Sequence, residues 1–252
     1  MSAEPAAVAA EIATGLRAHA NPERAVQEKR YLKSSLEHWG VGTPTFRTVV
    51  RGVLKAHPDL DRIELLALLR TLWASGVHEL RAAALEALER KAGLLVQEDL
   101  GLVERFCRES RSWAYVDFLA VKVAGRLVQR YPELVEVMNR WAGEDDFWVR
   151  RAALLAELEP LRHGRGDFAR FARHADAMLE EREFFIRKAI GWVLREVARK
   201  RPELVVAFLE PRLERIAGLT LREATRHLPA ATREALLQQH RATTSHPRRR
   251  AG

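Results

Sequence analysis

The sequence predicts an all-α protein, an α-solenoid of stacked antiparallel helix pairs, and three observations predict it. Apolar residues recur at helical spacing along nearly the whole chain, and no stretch alternates as a strand would. Connections are short and often a single proline step, as at His57-Pro58, Tyr131-Pro132 and Arg201-Pro202, where the ring ends one helix and aims the next. Finally, Tyr131-Pro132-Glu133-Leu134-Val135 returns as Arg201-Pro202-Glu203-Leu204-Val205, with His57-Pro58-Asp59-Leu60 as a weaker copy. Intervals of roughly 70 residues suit two helix pairs each.

Taken in order, residues 4–19 form an opening helix. Asn21-Pro22-Glu23 is an N-cap with proline at the first helical position, starting a second helix that should run to about Glu37. Gly40-Val41-Gly42 is a turn, and Thr43-Pro44 starts a third helix ending near Ala56. Helices are then expected near 59–74, 77–92, 97–110, 113–130, 132–142, 145–159, 167–180, 183–200, 202–210, 220–228 and 231–240. No linker divides the chain, so residues 1–241 are expected as a single repeat domain. The closing residues 242–252, within RATTSHPRRRAG, are expected as a disordered basic tail.

Composition narrows the function classes. A chain of 252 residues can bury a large core. Its 42 Lys+Arg against 34 Asp+Glu give a net charge of +8, which favours an anionic partner such as nucleic acid. The one cysteine, Cys107, excludes an internal disulfide framework, fits a reducing cytoplasm and is read as packing. The opening MSAEPAAVAAEIATGL has no basic n-region and is broken by charge, so it does not read as a signal peptide. No apolar run reaches membrane-spanning length, so a cytoplasmic protein without membrane association is expected.

The candidate site begins at Ser112-Trp113-Ala114-Tyr115-Val116-Asp117. On a helix, Val116, Ala120, Val121, Ala124, Leu127 and Val128 share one apolar face, and Asp117 falls inside that stripe. Such an aspartate is either paired within the repeat, or it lines a cleft where its charge is used. Trp113, one turn earlier, faces the same way. Near 145–159, Arg151 intrudes on the apolar face made by Phe147, Leu154, Leu155 and Leu158, while Arg150 points elsewhere. Near 183–200, Trp192 lies off the stripe of Ile186, Ile190, Val193 and Val197 and shares a face with Phe185, Lys188 and Arg199. A ring among cations has the composition of a nucleic-acid surface, the lesser alternative being that it packs against a neighbouring repeat. Trp39, Trp73, Trp141 and Trp148 lack such company and read as core.

The segment Glu183-Phe184-Phe185-Ile186-Arg187-Lys188-Ala189-Ile190-Gly191-Trp192-Val193-Leu194-Arg195-Glu196, with Ser112–Asp117 and Trp148-Val149-Arg150-Arg151, resembles the AlkD family of DNA alkylation repair glycosylases. Tyr31-Leu32-Lys33, Gly40-Val41 and Thr43-Pro44 with Arg47 are similar to its N-terminal signature, and Leu221-Arg222-Glu223-Ala224 with His227 to its last repeat. Gly42 departs from the polar residue frequent in the family. The resemblance implies a HEAT-like solenoid whose concave cationic face grips duplex DNA. It also implies a glycosylase that releases N3- and N7-alkylated purines, such as 3-methyladenine and 7-methylguanine, without flipping the base.

By motif position, the resemblance makes Asp117 the catalytic carboxylate, Trp113 and Trp192 its flanking aromatics and Arg151 the cleft arginine. Thr43, Arg47, Arg150, Lys188, Arg195 and Arg222 are the expected DNA contacts. No metal-ligand spacing appears among the nine His and the one Cys, and no Lys occupies a motif position suited to Schiff-base chemistry, so a metal-free, cofactor-free and monofunctional enzyme is expected; the resemblance implies a monomer acting on double-stranded DNA with alkylated bases. Two other classes stay open: a helical-repeat protein that binds DNA without excision, and a protein-binding scaffold.

Overall fold

The computed structural model describes residues 4–245. Its elements are α1 (Pro5–Arg17), α2 (Pro22–Leu32), α3 (Thr43–Ala56), α4 (Arg62–Ala74), α5 (His78–Arg90), α6 (Leu100–Ser110), α7 (Trp113–Phe118), α8 (Gly125–Arg130), α9 (Val135–Trp141), α10 (Phe147–Ala156), α11 (Leu158–Arg162), α12 (Phe168–Ala177), α13 (Phe184–Ala198), α14 (Pro202–Leu209), α15 (Gly218–Ala224) and α16 (Ala230–Ser245). Among the described residues there is no strand, and one isolated bridge joins Glu37 to Val77. The chain forms two compact units, Met1–Val103 and Glu104–Gly252.

In the first unit, α1 buries Val8, Ile12 and Leu16, a row at every fourth position, against α3, α4 and α5. α4 starts at Arg62 rather than near 59, because Asp61 caps it and Glu64 returns the bond, a reciprocal capping box. The second helix also departs from expectation, stopping at Leu32 well short of Glu37. Lys33 turns into the left-handed region, φ 49°, and the residues beyond it leave the helix. The Glu79 carboxylate, 2% exposed, holds that non-helical segment. It accepts from the backbone N–H groups of Trp39 at 3.0 Å, Gly40 at 2.6 Å and Val41 at 3.2 Å. Gly40 has φ +74°, and a Cβ there would lie 2.2 Å from the Asn21 carbonyl oxygen, so only glycine fits.

In the second unit, α7 and α8 are one helix interrupted by a π-helical turn over Leu119–Ala124. A π turn adds a residue and rotates the helix beyond it, and such turns often mark functional positions. Asp117 lies just before it. Asp146 and Asp167 cap α10 and α12 through Trp148 N and Arg170 N. Arg170 locks the pairing further with two bonds to the buried Glu157, at 2.6 and 2.9 Å. α13 packs against α15 at Gly191, where a Cβ would come within 2.7 Å of Glu223 Cβ. α16 continues to Ser245, past the expected boundary at 241; the rest of the expected tail, 246–252, lies outside the described residues. Trp39, Trp73, Trp141, Trp148 and Cys107 are all buried, as expected from the sequence.

Candidate active site

The aspartate in the apolar stripe has a partner. Arg151 on α10 donates through Nε to Asp117 Oδ1 at 2.7 Å and through Nη2 to Asp117 Oδ2 at 2.9 Å, a parallel two-bond fork. Its third nitrogen, Nη1, donates to the backbone carbonyl of Phe185 on α13. Arg151 thus ties α7, α10 and α13 together through one guanidinium. Its side chain is 5% exposed and that of Asp117 is 17% exposed, so the carboxylate keeps one edge open while the arginine is sealed in. Burial pushes the Asp117 carboxyl up from its usual range, and the Arg151 hydrogen bonds and charge pull it part of the way back.

Phe185 does more than its place in the sequence suggests. Beside its carbonyl, its ring lies 5.8 Å from the Arg151 guanidinium carbon and packs on Trp148 at 4.8 Å and Phe147 at 6.3 Å. Phe185 thus meets Arg151 with both its carbonyl and its ring, and Trp148 and Phe147 back that ring. In the sequence Phe147 reads only as core, and no local signal distinguishes a core ring from one that backs a site. Trp113 is half-buried, one turn before Asp117 on α7. Trp192 is also half-buried, two turns beyond Phe185 on the same face of α13, about 10 Å along its axis.

The expected DNA contacts divide into three groups. Thr43 and Arg47 are exposed on α3 in the first unit, and Arg222 is exposed on α15 in the second. Lys188 and Arg195 converge on Glu223: Lys188 Nζ donates to Oε2 at 3.3 Å and Arg195 Nη1 to Oε1. In the sequence Glu223 stands only as one letter of a motif; its role as the counter-ion of two α13 cations needs the fold. Arg150 is a strut. Its guanidinium donates twice to Glu181, at 3.0 and 2.8 Å, and again to the Glu144 and Asp145 carbonyls, leaving the side chain 17% exposed.

Among the described residues no group of three His, Cys, Asp or Glu is placed to hold a metal ion, and no helix is long and apolar enough to cross a membrane. The arrangement offers a partly open carboxylate held by a buried cation, with an indole on each of the helices α7 and α13. That combination suits stabilisation of positive charge on a bound molecule.

A search of curated protein sequences returned no match. Among solved structures, the chain is similar to a predicted DNA alkylation repair enzyme from Enterococcus faecalis, with a TM-score of 0.77, 21% identity and coverage of 84% of this chain and 98% of that one. It is also similar to AlkD2 from Streptococcus mutans, with a TM-score of 0.56, 18% identity and coverage of 82% and 99%. At these identities the likeness speaks for the helical-repeat fold. The family model described as DNA alkylation repair enzyme matches residues 12–228, from within α1 to the segment before α16, and the chain belongs to that family.

Proposed function

We propose that the protein is a monofunctional DNA glycosylase that hydrolyses the N-glycosidic bond of cationic N3- and N7-alkylated purines in duplex DNA. The observation that carries this reading is the Asp117–Arg151 fork, a carboxylate fixed in direction yet open at one edge. Alkylation leaves the purine positively charged, so the base departs without a strong general acid. What the departure needs is stabilisation of the sugar, which gains oxocarbenium-like charge. Arg151 occupies one acceptor direction on each Asp117 oxygen, and the remaining lone pairs stay available to face the sugar and orient water. Trp113 and Trp192 supply aromatic faces for that charge, worth about 0.5–2 kcal/mol each. Arg222 and the exposed Arg47 and Thr43 suit phosphate contacts, while Arg150 serves the scaffold. The reading includes release without base flipping, since the sequence carries no base-pocket motif, and selectivity then comes from the lability of the charged lesion.

The test is incubation with duplex containing 7-methylguanine, followed by measurement of free base and abasic sites. Asp117→Asn keeps volume but removes the charge. Excision is expected to fall on the order of 10²-fold or more, with duplex affinity held or raised. Salt-sensitive binding with no base release by the native protein would instead establish a non-catalytic DNA-binding repeat protein.

A further inference from the structure

The exposed face of α3 presents Arg47, Arg51 and Lys55 at successive turns, separated by Thr48 and Gly52, and α3 contains no acidic residue. Like charges at this spacing repel and destabilise a helix, so a face selected only for solubility would mix signs. At its C-terminal end the ridge runs into a hollow of about 480 Å³ lined by Arg51, Leu54, Lys55, Pro58, Arg90 and Lys91. The cations around it are already positioned. Glu86, buried beneath them, pairs with Arg51 at 2.8 Å and Arg90 at 3.2 Å, and Lys91 Nζ donates to the Pro58 carbonyl at 2.8 Å. Arg51 and Arg90 nonetheless keep 45% and 42% of their side chains exposed. Lys55 is exposed and makes no ion pair among the described residues.

Helix capping accounts for part of this, because α3 and α5 both end beside the hollow and favour cations there. It does not account for all of it. Two helix ends contribute about one negative charge between them, and Glu86 a second, against four cations. A net positive hollow continuous with a positive ridge remains, and the small Thr48 and Gly52 allow close approach of a polyanion between the basic side chains. A Cβ on Gly52 would meet nothing within 4 Å, so that glycine answers to no packing need.

We propose that this ridge and hollow form a phosphate track in the first unit, taking successive phosphates of a single DNA strand through Arg47, Arg51, Lys55 and Arg90. The proposal rests on the DNA-binding half of the function proposed above and extends it to residues outside the candidate active site. The experiment measures binding of an undamaged fluorescein-labelled duplex by anisotropy across a range of salt concentrations, for the full chain and for Arg51→Ala/Lys55→Ala. The double variant is expected to bind at least about 10-fold more weakly at low salt, equally for unrelated sequences, with the slope of log affinity against log salt reduced by about 0.9 for each phosphate no longer neutralised. Arg51→Lys/Lys55→Arg should retain the native slope. If the double variant melts early, Lys55→Ala alone, which disturbs no ion pair, should still lower the slope by about one such step. An unchanged slope, or a loss confined to one sequence, overturns the track. Base release plays no part in this assay, so an error in the role of Asp117 leaves it standing, and failure of the track leaves the excision chemistry untouched.

Discussion

Replacing Arg151 with Gln isolates what the buried guanidinium does for Asp117. In the native protein the carboxyl is raised by burial and lowered by two hydrogen bonds at 2.7 and 2.9 Å together with the Arg151 charge. Glutamine removes the charge and cannot form the fork. An arginine neighbour lowers an aspartate, so without it the Asp117 pKa should climb further from an already raised value. If the ionised form stabilises the sugar cation, the native excision rate falls with acidity at a pH above the ordinary aspartate range near 3.9. In Arg151→Gln that acid limb moves to higher pH. Stability should respond in a related way. The variant's folded-state pKa lies further above the unfolded one, so the contribution from Asp117 is fully present below about pH 3.9 and is lost as pH rises through the folded value. The melting-temperature deficit against the native protein should therefore widen from acid to neutral pH, towards the several kcal/mol expected of a buried charge without its partner, about 3–5. The assay is single-turnover release of 7-methylguanine at saturating enzyme, corrected for spontaneous loss, alongside thermal melts over the same pH range. An acid limb at the same pH in both proteins would refute the assignment of Asp117 as the titrating group.

Trp192→Ala should weaken both duplex binding and excision, since the half-buried ring offers contact area as well as an aromatic face; a rate loss at full affinity would separate the two contributions. Glu223→Gln should strengthen binding to undamaged duplex and steepen its salt dependence, because Lys188 loses its carboxylate and Arg195 keeps only Glu196, whereas an unchanged slope would place both cations away from phosphate. Gly191→Ala puts a Cβ 2.7 Å from Glu223 Cβ and 3.0 Å from the Thr220 carbonyl oxygen, so α13 and α15 must separate. The expected cost is about 1–3 kcal/mol, read as a lower denaturant midpoint, and an unchanged midpoint would show that the helices yield freely.

How much of the fold is legible in the sequence depends on which physical rule each feature obeys. Helix count and order are legible because helical periodicity and proline steps act locally. Asn21 and Pro22 start α2, and Pro202 starts α14, where the sequence places them. The expected run of the second helix to Glu37 fails for a non-local reason. Nothing within Lys33–Glu37 forbids helix, and the non-helical backbone over Trp39–Val41 is held by a carboxylate that arrives from Glu79 on α5. Likewise, the start of α4 moves to Arg62 because the Asp61–Glu64 capping box outcompetes the proline step before it.

The candidate site is legible only where it breaks a packing rule. Asp117 and Arg151 each interrupt an apolar stripe, and two such interruptions on different helices can satisfy each other; the structure joins them. Phe185, Glu181 and Glu223 break no rule, since a ring and two acids on helices are ordinary in a row of letters, and so their roles appear only in three dimensions. The same logic sorts the arginines. Arg150 and Arg151 are adjacent and chemically identical, yet one faces an acid and two carbonyls at a loop, while the other points inward to the single carboxylate of the stripe. The 100° between neighbouring helical positions is what divides them: it makes one arginine a strut and leaves the other as the residue that fixes the direction and charge of Asp117.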